Sequence, residues 1–242
     1  HEEMEFAART GFLTRSLWRE FFGKGSLRWQ NMVWKKLKDD GFFRPHPRMP
    51  DLYLPNQRHP LIDVRTPYFA RPPILSQLAH DELVARSYLL LKRDLPGGVL
   101  KTEAFLKKEA PIGNKGLKID ASEKHPDLLL ELNGKKIAFE IELNQKSRSR
   151  YRNILRCYRR GGFAKVIYLI RSDGTMNAIE SAANEVSFPR DQIQLGFGSI
   201  GDWRRNPIRT EIHFDRSSEY LSDVLVPHSF LKSSSREGLG KD

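Results

Sequence analysis

Cysteine is almost absent from this 242-residue sequence, which contains only Cys157. A single thiol excludes an internal disulfide framework and any zinc site that needs several thiolates. The sequence also lacks an apolar run of the roughly 18 residues that a membrane-spanning helix needs, and its N-terminus shows no signal-peptide pattern. We therefore expect a cytoplasmic protein that does not insert into a membrane.

Acidic residues are in deficit. The 41 Lys and Arg residues outnumber the 30 Asp and Glu residues, which gives a formal net charge of +11. Such an excess favours polyanions as partners, because each phosphate contact releases counterions. An acidic membrane surface would satisfy the same charge, but neither a lipidation signal nor a basic amphipathic anchor helix is present. Nucleic acid is therefore the expected partner.

The N-terminal pattern predicts three helices and then two short strands. The helices are expected over residues 2–9, 14–22 and 26–38, with Thr14 and Ser26 as N-caps of the last two. The strands, 42–44 and 52–54, flank a Pro-rich excursion. This order predicts a winged helix-turn-helix domain over residues 1–57. The alternative is a helical hairpin whose basic face is simply solvated.

The third helix is the predicted recognition element. Val33, Trp34 and Leu37 are expected to face the core of the domain. Arg44, in the hairpin, is expected to contact phosphate. Four polar side chains of the third helix are expected to face a DNA major groove: Arg28, Gln30, Asn31 and Lys35.

The remaining chain divides by composition. Residues 58–76 are Pro-rich and lack periodicity, which is typical of a linker. Residues 77–215 alternate helical and strand patterns, including strand, turn, strand, helix and strand between 126 and 171. We expect one domain of mixed α/β (α+β) class there, followed by a partly disordered C-terminal tail over 216–242.

The segment 125–147 is the most informative part of the sequence. Asn133-Gly134 predicts a two-residue type I′ turn, because that turn needs positive φ at both positions. The turn places Asp127 opposite Glu140, with Cβ atoms about 5 Å apart. One face of the hairpin is then apolar, while Asp127, Glu140 and Glu142 gather on the other face, at its open end.

Three adjacent carboxylates repel one another unless a cation compensates them. Oxygen ligands without Cys or paired His favour a hard ion, so Asp127, Glu140 and Glu142 predict a Mg²⁺ or Mn²⁺ site. Lys146 follows, where its ammonium is placed to orient a water or to stabilise negative charge. The alternative is an amphipathic hairpin whose carboxylates pair with nearby arginines.

A basic helix is expected after the hairpin, over residues 147–160. Tyr151 and Tyr158 fall on its apolar stripe, which favours core packing over a role as covalent nucleophiles. Its other faces are rich in arginine, and we interpret them as a phosphate track that includes Arg148 and Arg152.

These motifs resemble a known group of nucleases. Pro126-Asp127, Glu140-Ile141-Glu142 and Lys146 resemble the PD-(D/E)xK nuclease superfamily in a migrated-lysine form. The stretch ELNGKKIAFEIELNQKSRSRYRNILRCY and residues 79–83 (AHDEL) resemble the MOBC-class plasmid mobilisation relaxases and replication-relaxation proteins. In that group a winged helix precedes a restriction-endonuclease-like core, a mixed sheet flanked by helices.

The resemblance implies an enzyme that binds a double-stranded plasmid transfer origin and nicks one strand with a metal-activated water. Nicked DNA and other mobilisation or coupling proteins are the further partners it implies. It also implies an acid from the helix before the hairpin, Glu82 or Asp81, beside His80. Those residues also suit an ordinary helix start.

Glu142 stands where the usual motif has lysine, and this departure motivates a second interpretation. The chain would then be a non-enzymatic replication or mobilisation accessory protein that binds DNA through a degenerate nuclease fold. A third interpretation, a restriction nuclease, would produce double-strand ends in many DNAs.

Overall fold

The computed structural model describes residues 2–56, 59, 72–109, 124–215 and 217–225. Two units can be distinguished by their internal contacts. The first comprises His1–Leu89 with Lys101–Ile119, and the second comprises Leu90–Leu100 with Asp120–Asp242. In the described residues, no helix combines the length and the apolar character needed to cross a membrane.

The N-terminal part of the first unit contains three helices and a three-stranded antiparallel sheet. Its elements are α1 (Glu2–Thr10), β1 (Leu13–Thr14), α2 (Arg15–Phe21), α3 (Leu27–Asp39), β2 (Phe43–His46) and β3 (Met49–Pro55). The strand order is β1-β3-β2. The predicted N-caps are confirmed, because the Thr14 and Ser26 hydroxyls accept the amides of Leu17 and Trp29.

Burial on α3 matches the predicted core face. Trp34 and Leu37 are buried, and Val33 is half-buried. Trp34 stacks on Tyr53 of β3 with ring centroids 4.0 Å apart.

Two features of the three-stranded sheet differ from the prediction. The two-residue strand β1 was missed, because it is too short to show a period. The Pro-rich excursion is partly strand, since Pro45 pairs with Tyr53 at an edge position that tolerates proline.

A long helix, α4 (Leu78–Asp94), follows a 3₁₀ turn at Leu75–Gln77. Its first turns make contacts within the first unit: Glu82 accepts the hydroxyls of Thr14 and Ser16, and Arg86 makes a bidentate ion pair with Glu20. The division between units therefore falls within α4 rather than at residue 77, where the Pro-rich composition placed it. Most of the predicted linker, 58–76, lies outside the described residues.

The second sheet is mixed and has seven strands. After β4 (Val99–Thr102) and α5 (Glu103–Glu109) come β5 (Leu128–Leu132), β6 (Lys135–Glu142), β7 (Lys165–Ile170), β8 (Gln194–Ser199), β9 (Glu211–His213) and β10 (Ser218–Tyr220). The strand order is β10-β9-β8-β7-β6-β5-β4. Strands β6, β7 and β8 run parallel, whereas β5–β6, β8–β9 and β9–β10 are antiparallel pairs.

Helices cover both faces of the parallel strands. The crossover helices are α6 (Arg148–Arg160) and α7 (Asp173–Glu185), and α8 (Ile200–Arg205) follows β8. Tyr151 and Tyr158 of α6 pack with Ala138 and Tyr168 in one buried cluster, which confirms the predicted apolar stripe of that helix. On the opposite face, Phe139 meets Trp203 with ring centroids 5.5 Å apart. The even-numbered side chains of β6 are therefore buried as completely as the odd-numbered ones.

The predicted C-terminal tail, residues 216–242, begins with regular structure in the part of it that the structure describes. Strand β10 and helix α9 (Leu221–Leu225) occupy part of the segment expected to be a tail. Leu221, Val224 and Leu225 are buried. The three-residue strands β9 and β10 are too short to show a side-chain alternation in the sequence, so the sequence did not predict that the sheet continues there. Residues 226–242 of the predicted tail lie outside the described residues.

Candidate functional site

The β5–β6 hairpin confirms the predicted turn and register. Asn133 and Gly134 have φ values of 51° and 73°, as a type I′ turn requires. The antiparallel ladder runs from Leu132 paired with Lys135 to Leu128 paired with Phe139. The next position places Asp127 beside Glu140, at the open end of the hairpin. Both residues belong to the second unit.

Asp127 is held in place by the backbone of the neighbouring strand. It is buried, and its Oδ2 accepts the amide N–H of Ile141 at 2.8 Å. Its Oδ1 lies 3.6 Å from Nζ of Lys124, whose ammonium also lies 3.2 Å from Oε1 of Glu140. One ammonium therefore bridges the two carboxylates that the register brings together.

Glu140 is the most enclosed acid of the site, with 0% of its surface exposed. Its Oε1 accepts the hydroxyl of Tyr158 from α6 as well as contacting Lys124. Its Oε2 is buried and has no hydrogen-bond partner in the described part of the chain. Burial, followed by the negative charge of Asp127, raises the pKa of Glu140 from 4.5 to about 7.

Glu142 and Lys146 form a separate ion pair on the same face. The Lys146 ammonium donates to Oε1 of Glu142, and the backbone N–H of Lys146 donates to the Tyr151 hydroxyl at 3.0 Å. Burial raises the pKa of Glu142, and Lys146 opposes that shift. Lys146 lies beyond the ladder, as expected. The loop before α6 brings the Lys146 ammonium back to Glu142, the last residue of β6.

Sequence reasoning missed three groups that the structure places around the acids: the Lys124 ammonium and the hydroxyls of Tyr158 and Tyr168. Lys124 precedes Asp127 by three residues, a spacing that could have suggested it. Tyr158 was assigned to core packing, which is correct, but its hydroxyl also binds Glu140. Tyr168 lies beside Glu140 in the parallel register of β6 and β7, and its buried hydroxyl has no partner among the described residues.

The three-carboxylate metal set expected from the sequence is not assembled in the described residues, where no group of three or more His, Cys, Asp and Glu is arranged to hold an ion. Glu142 is paired with Lys146. Asp127 and Glu140 nevertheless fit a hard cation, because Mg²⁺ is often held by one or two carboxylates together with waters and phosphates. The unpartnered Oε2 of Glu140 supplies an available acceptor.

His80 and Glu82 lie in the first unit. Glu82 accepts the hydroxyls of Thr14 at 2.7 Å and Ser16 at 2.5 Å, and His80 Nδ1 lies 3.3 Å from Asp81 Oδ1. Glu82 thereby ties α4 to the start of α2. The implied contribution of these residues to the chemistry stays a prediction.

The predicted base-reading residues of α3 divide into two groups. Arg28 and Lys35 are exposed, as is Arg44 on β2. Gln30 instead donates to the Gly25 carbonyl, and Asn31 accepts hydrogen bonds from both Arg15 and Arg19. The polar atoms that sequence reasoning assigned to DNA bases are thus partly used within the protein.

Trp29 and Met32 are exposed apolar residues on α3 that sequence reasoning did not select. They are 54% and 51% exposed. Helical spacing places Met32 four residues after Arg28 and three before Lys35, so an apolar centre is flanked by cations. This arrangement suits a groove with apolar methyl groups inside and phosphates at its rim.

The predicted phosphate track on α6 is partly neutralised. Arg148 and Arg152 both pair with Glu185 at the end of α7. These arginines remain substantially exposed, with 57% and 40% of their side-chain surface accessible. Arg150, Arg156 and Arg160 are also exposed on this helix. A basic surface is present, but two of its charges also connect α6 to α7.

No protein-family model matches the chain, and comparison with curated proteins and with solved structures gives no significant match. The resemblance to the PD-(D/E)xK nucleases and the relaxases therefore stays a prediction. Function is inferred from the residues of the site.

Proposed function

We propose that this chain is a Mg²⁺- or Mn²⁺-dependent endonuclease of the PD-(D/E)xK type that nicks one strand of a plasmid transfer origin, as a mobilisation relaxase does. The observation that carries the proposal is the burial of Asp127 and Glu140 side by side at the open end of the hairpin, where one Glu140 oxygen has no hydrogen-bond partner in the described part of the chain.

Buried acids are costly to a fold, and this cost supports a chemical role for the site. An ionised carboxylate removed from water loses several kcal/mol of solvation unless its partners replace it. Asp127, Glu140 and Glu142 are all buried within a short segment of one sheet. Apolar residues at these positions would fill the same core without that cost. Burial raises the pKa of both Glu140 and Glu142, and acids perturbed together in this way are typical of functional sites.

The protein's own groups orient the acids for binding. The Ile141 amide fixes one oxygen of Asp127, and Tyr158 fixes one oxygen of Glu140. Glu142 holds the ammonium of Lys146 beside them, where it is placed to neutralise charge on a phosphodiester. When bound, a divalent cation would polarise the phosphodiester and lower the pKa of a water.

We infer that the first unit binds DNA. Its order of elements, three helices followed by a β-hairpin, supports this inference because a winged helix has the same order, with α3 in the place of the recognition helix. Arg28, Lys35 and Arg44 provide exposed cations, and Met32 lies between the first two on α3. We infer that the apolar side chains contact bases while the cations bind phosphates.

A nicking assay on supercoiled plasmid carrying a transfer origin tests the enzyme directly. Asp127→Asn removes the charge but retains an oxygen that can accept the Ile141 amide. We expect it to reduce Mn²⁺-dependent nicking by at least about 100-fold while DNA affinity is unchanged. Glu131→Gln is the matched control, because Glu131 lies near the turn of the same hairpin, opposite Lys136. Full activity of Asp127→Asn, or nicking by wild type in excess EDTA, would refute the proposal.

The products separate the proposal from a restriction nuclease. Open circles with one interrupted strand are expected, whereas linear plasmid would indicate double-strand cleavage. Electrophoresis before and after protease treatment tests for a covalent adduct. A metal-activated water predicts identical mobility in both lanes, because no tyrosine becomes attached to the DNA.

A non-enzymatic accessory protein is the second candidate. It is favoured by the two ammonium groups, which already occupy the carboxylates: Lys124 bridges Asp127 and Glu140, and Lys146 pairs with Glu142. Tight origin binding by a chain that shows no Mn²⁺ heat in calorimetry and no nicking would select this function.

A further inference from the structure

Lys124 lies at a position that the predicted chemistry leaves unexplained. Its ammonium is within 4 Å of both carboxylates, at 3.6 Å from Asp127 Oδ1 and 3.2 Å from Glu140 Oε1. Its side chain is 22% exposed, while those of the two acids are 8% and 1% exposed. The lysine thus reaches from the edge of the site towards its interior.

A single ammonium shared by two buried carboxylates neutralises part of their charge, as a bridging cation would. It compensates the repulsion between the two buried carboxylates. A divalent cation bound to the same two carboxylates would be repelled by an ammonium at this distance. Lysine and cation therefore compete for Asp127 and Glu140.

We propose that Lys124 is the resident counter-cation of the Asp127–Glu140 pair and that a divalent cation binds by displacing it. The displacement half rests on the proposed metal dependence, whereas the counter-cation half rests on the geometry alone. A flexible four-carbon stem and a partly exposed position allow the ammonium to move towards solvent. Glu140 Oε2, which accepts no hydrogen bond from the described residues, offers one oxygen to an approaching cation.

Two opposite effects follow from removing the ammonium. The metal-free protein loses the compensation of two buried acids, so its stability falls. An incoming divalent cation no longer has to displace an ammonium, so the affinity of the protein for the ion rises. If the lysine instead helped to bind the ion, removing its ammonium would lower the affinity for the ion. If it bound only DNA, removing it would leave that affinity unchanged.

The test uses the full chain with Lys124→Met, and with Lys136→Met as matched control. Lys136 is an exposed lysine of the same hairpin that pairs across the strands with Glu131. Melting temperatures in EDTA and in saturating Mn²⁺ give stability, and isothermal titration gives the Mn²⁺ dissociation constant. For Lys124→Met we expect a lower melting temperature in EDTA and Mn²⁺ binding tighter by about tenfold or more. The Lys136→Met variant is expected to match wild type.

Lys124→Arg keeps the experiment decisive if the methionine variant does not fold. A guanidinium binds two carboxylates more strongly than an ammonium does, because it can donate several hydrogen bonds at once. This variant is therefore expected to fold normally and to bind Mn²⁺ more weakly than wild type. Unchanged or weaker Mn²⁺ binding in a folded Lys124→Met variant would overturn the displacement, and so would unchanged or tighter binding in Lys124→Arg.

The outcomes for the two proposals are distinguishable. If neither wild type nor the variants bind Mn²⁺, the proposed metal-dependent nuclease fails and the displacement fails with it. If wild type binds Mn²⁺ and nicks DNA but Lys124→Met binds the ion no more tightly, only the role of Lys124 is wrong. An unchanged melting temperature of Lys124→Met in EDTA would overturn the counter-cation role itself.

Discussion

Glu140→Gln is predicted to stabilise the metal-free protein near neutral pH although it removes a group assigned to the site. The ionised form of Glu140 is enclosed on all sides, and its Oε2 has no hydrogen-bond partner among the described residues. Glutamine has nearly the same shape and no charge. Its oxygen can still accept the Tyr158 hydroxyl that Glu140 Oε1 accepts.

The pKa shift of Glu140 sets the magnitude and the sign. Its pKa is raised from 4.5 to about 7, so the folded chain binds this proton more tightly than the unfolded chain does. Below pH 4.5 both states are protonated, and the contribution to stability is complete. Between pH 4.5 and 7 the unfolded state releases the proton first, so stability falls as pH rises. At about 1.4 kcal/mol per unit, the loss is on the order of 3 kcal/mol by pH 8.

Urea denaturation at several values between pH 5 and 8, in EDTA, checks this prediction. Hydrogen exchange of the β6 amides provides a second readout that is confined to the second unit. Wild type should lose stability across this range relative to Glu140→Gln, whose own profile should be flatter. Glu131→Gln should follow wild type, because Glu131 is not enclosed. The same pH profile in wild type and Glu140→Gln would refute the reasoning.

Three further changes test the turn, the loop and the DNA surface. Gly134→Ala should cost about 1 kcal/mol in urea denaturation: a Cβ there meets nothing within 4 Å, so the strain comes from the φ of +73° alone. Tyr151→Phe leaves the Lys146 amide without the hydroxyl it contacts at 3.0 Å, so we expect a loss of about 1–3 kcal/mol in stability and slower nicking with unchanged DNA affinity. Lys35→Ala should weaken binding to duplexes of any sequence and reduce the slope of log affinity against log salt by about 1, as fluorescence anisotropy would measure.

Local signals predicted more of this protein than long-range ones did. Asn133-Gly134 specified the hairpin and its register because turn chemistry and side-chain alternation act over a few residues. Ser26 and Thr14 marked helix starts for the same reason. The placement of Lys124 against Glu140 and the contact of Glu82 with Thr14 depend on how distant segments pack. No periodicity carries that information.

Burial was the property of the site that alternation could not predict. A hairpin with acids on one face is consistent with a face open to solvent. In the structure that face meets α6, whose Tyr158 hydroxyl donates to Glu140, while Tyr168 of β7 lies beside Glu140 in the sheet. The parallel strand β7 has to pair with β6, and the right-handed crossover between them has to cover one face of the sheet. The helix predicted after the hairpin already implied that one face of the sheet would be covered. The predicted role of the acids nevertheless treated their face as open.

The charge balance of the site connects its stability to its proposed chemistry. Three buried carboxylates face two ammonium groups, so the cluster of Asp127, Glu140, Glu142, Lys124 and Lys146 carries one excess negative charge when all are ionised. The unpartnered oxygen of Glu140 is where that excess is least compensated. A proton on Glu140 removes that excess charge, and the pKa of Glu140 is raised to about 7 by burial first and by the negative charge of Asp127 second. A divalent cation removes the excess too, but leaves an excess positive charge that favours release of Lys124 and the approach of a phosphate. Because proton and cation compete for one oxygen, Mn²⁺ affinity should rise between pH 6 and 8 in wild type and lose this dependence in Glu140→Gln.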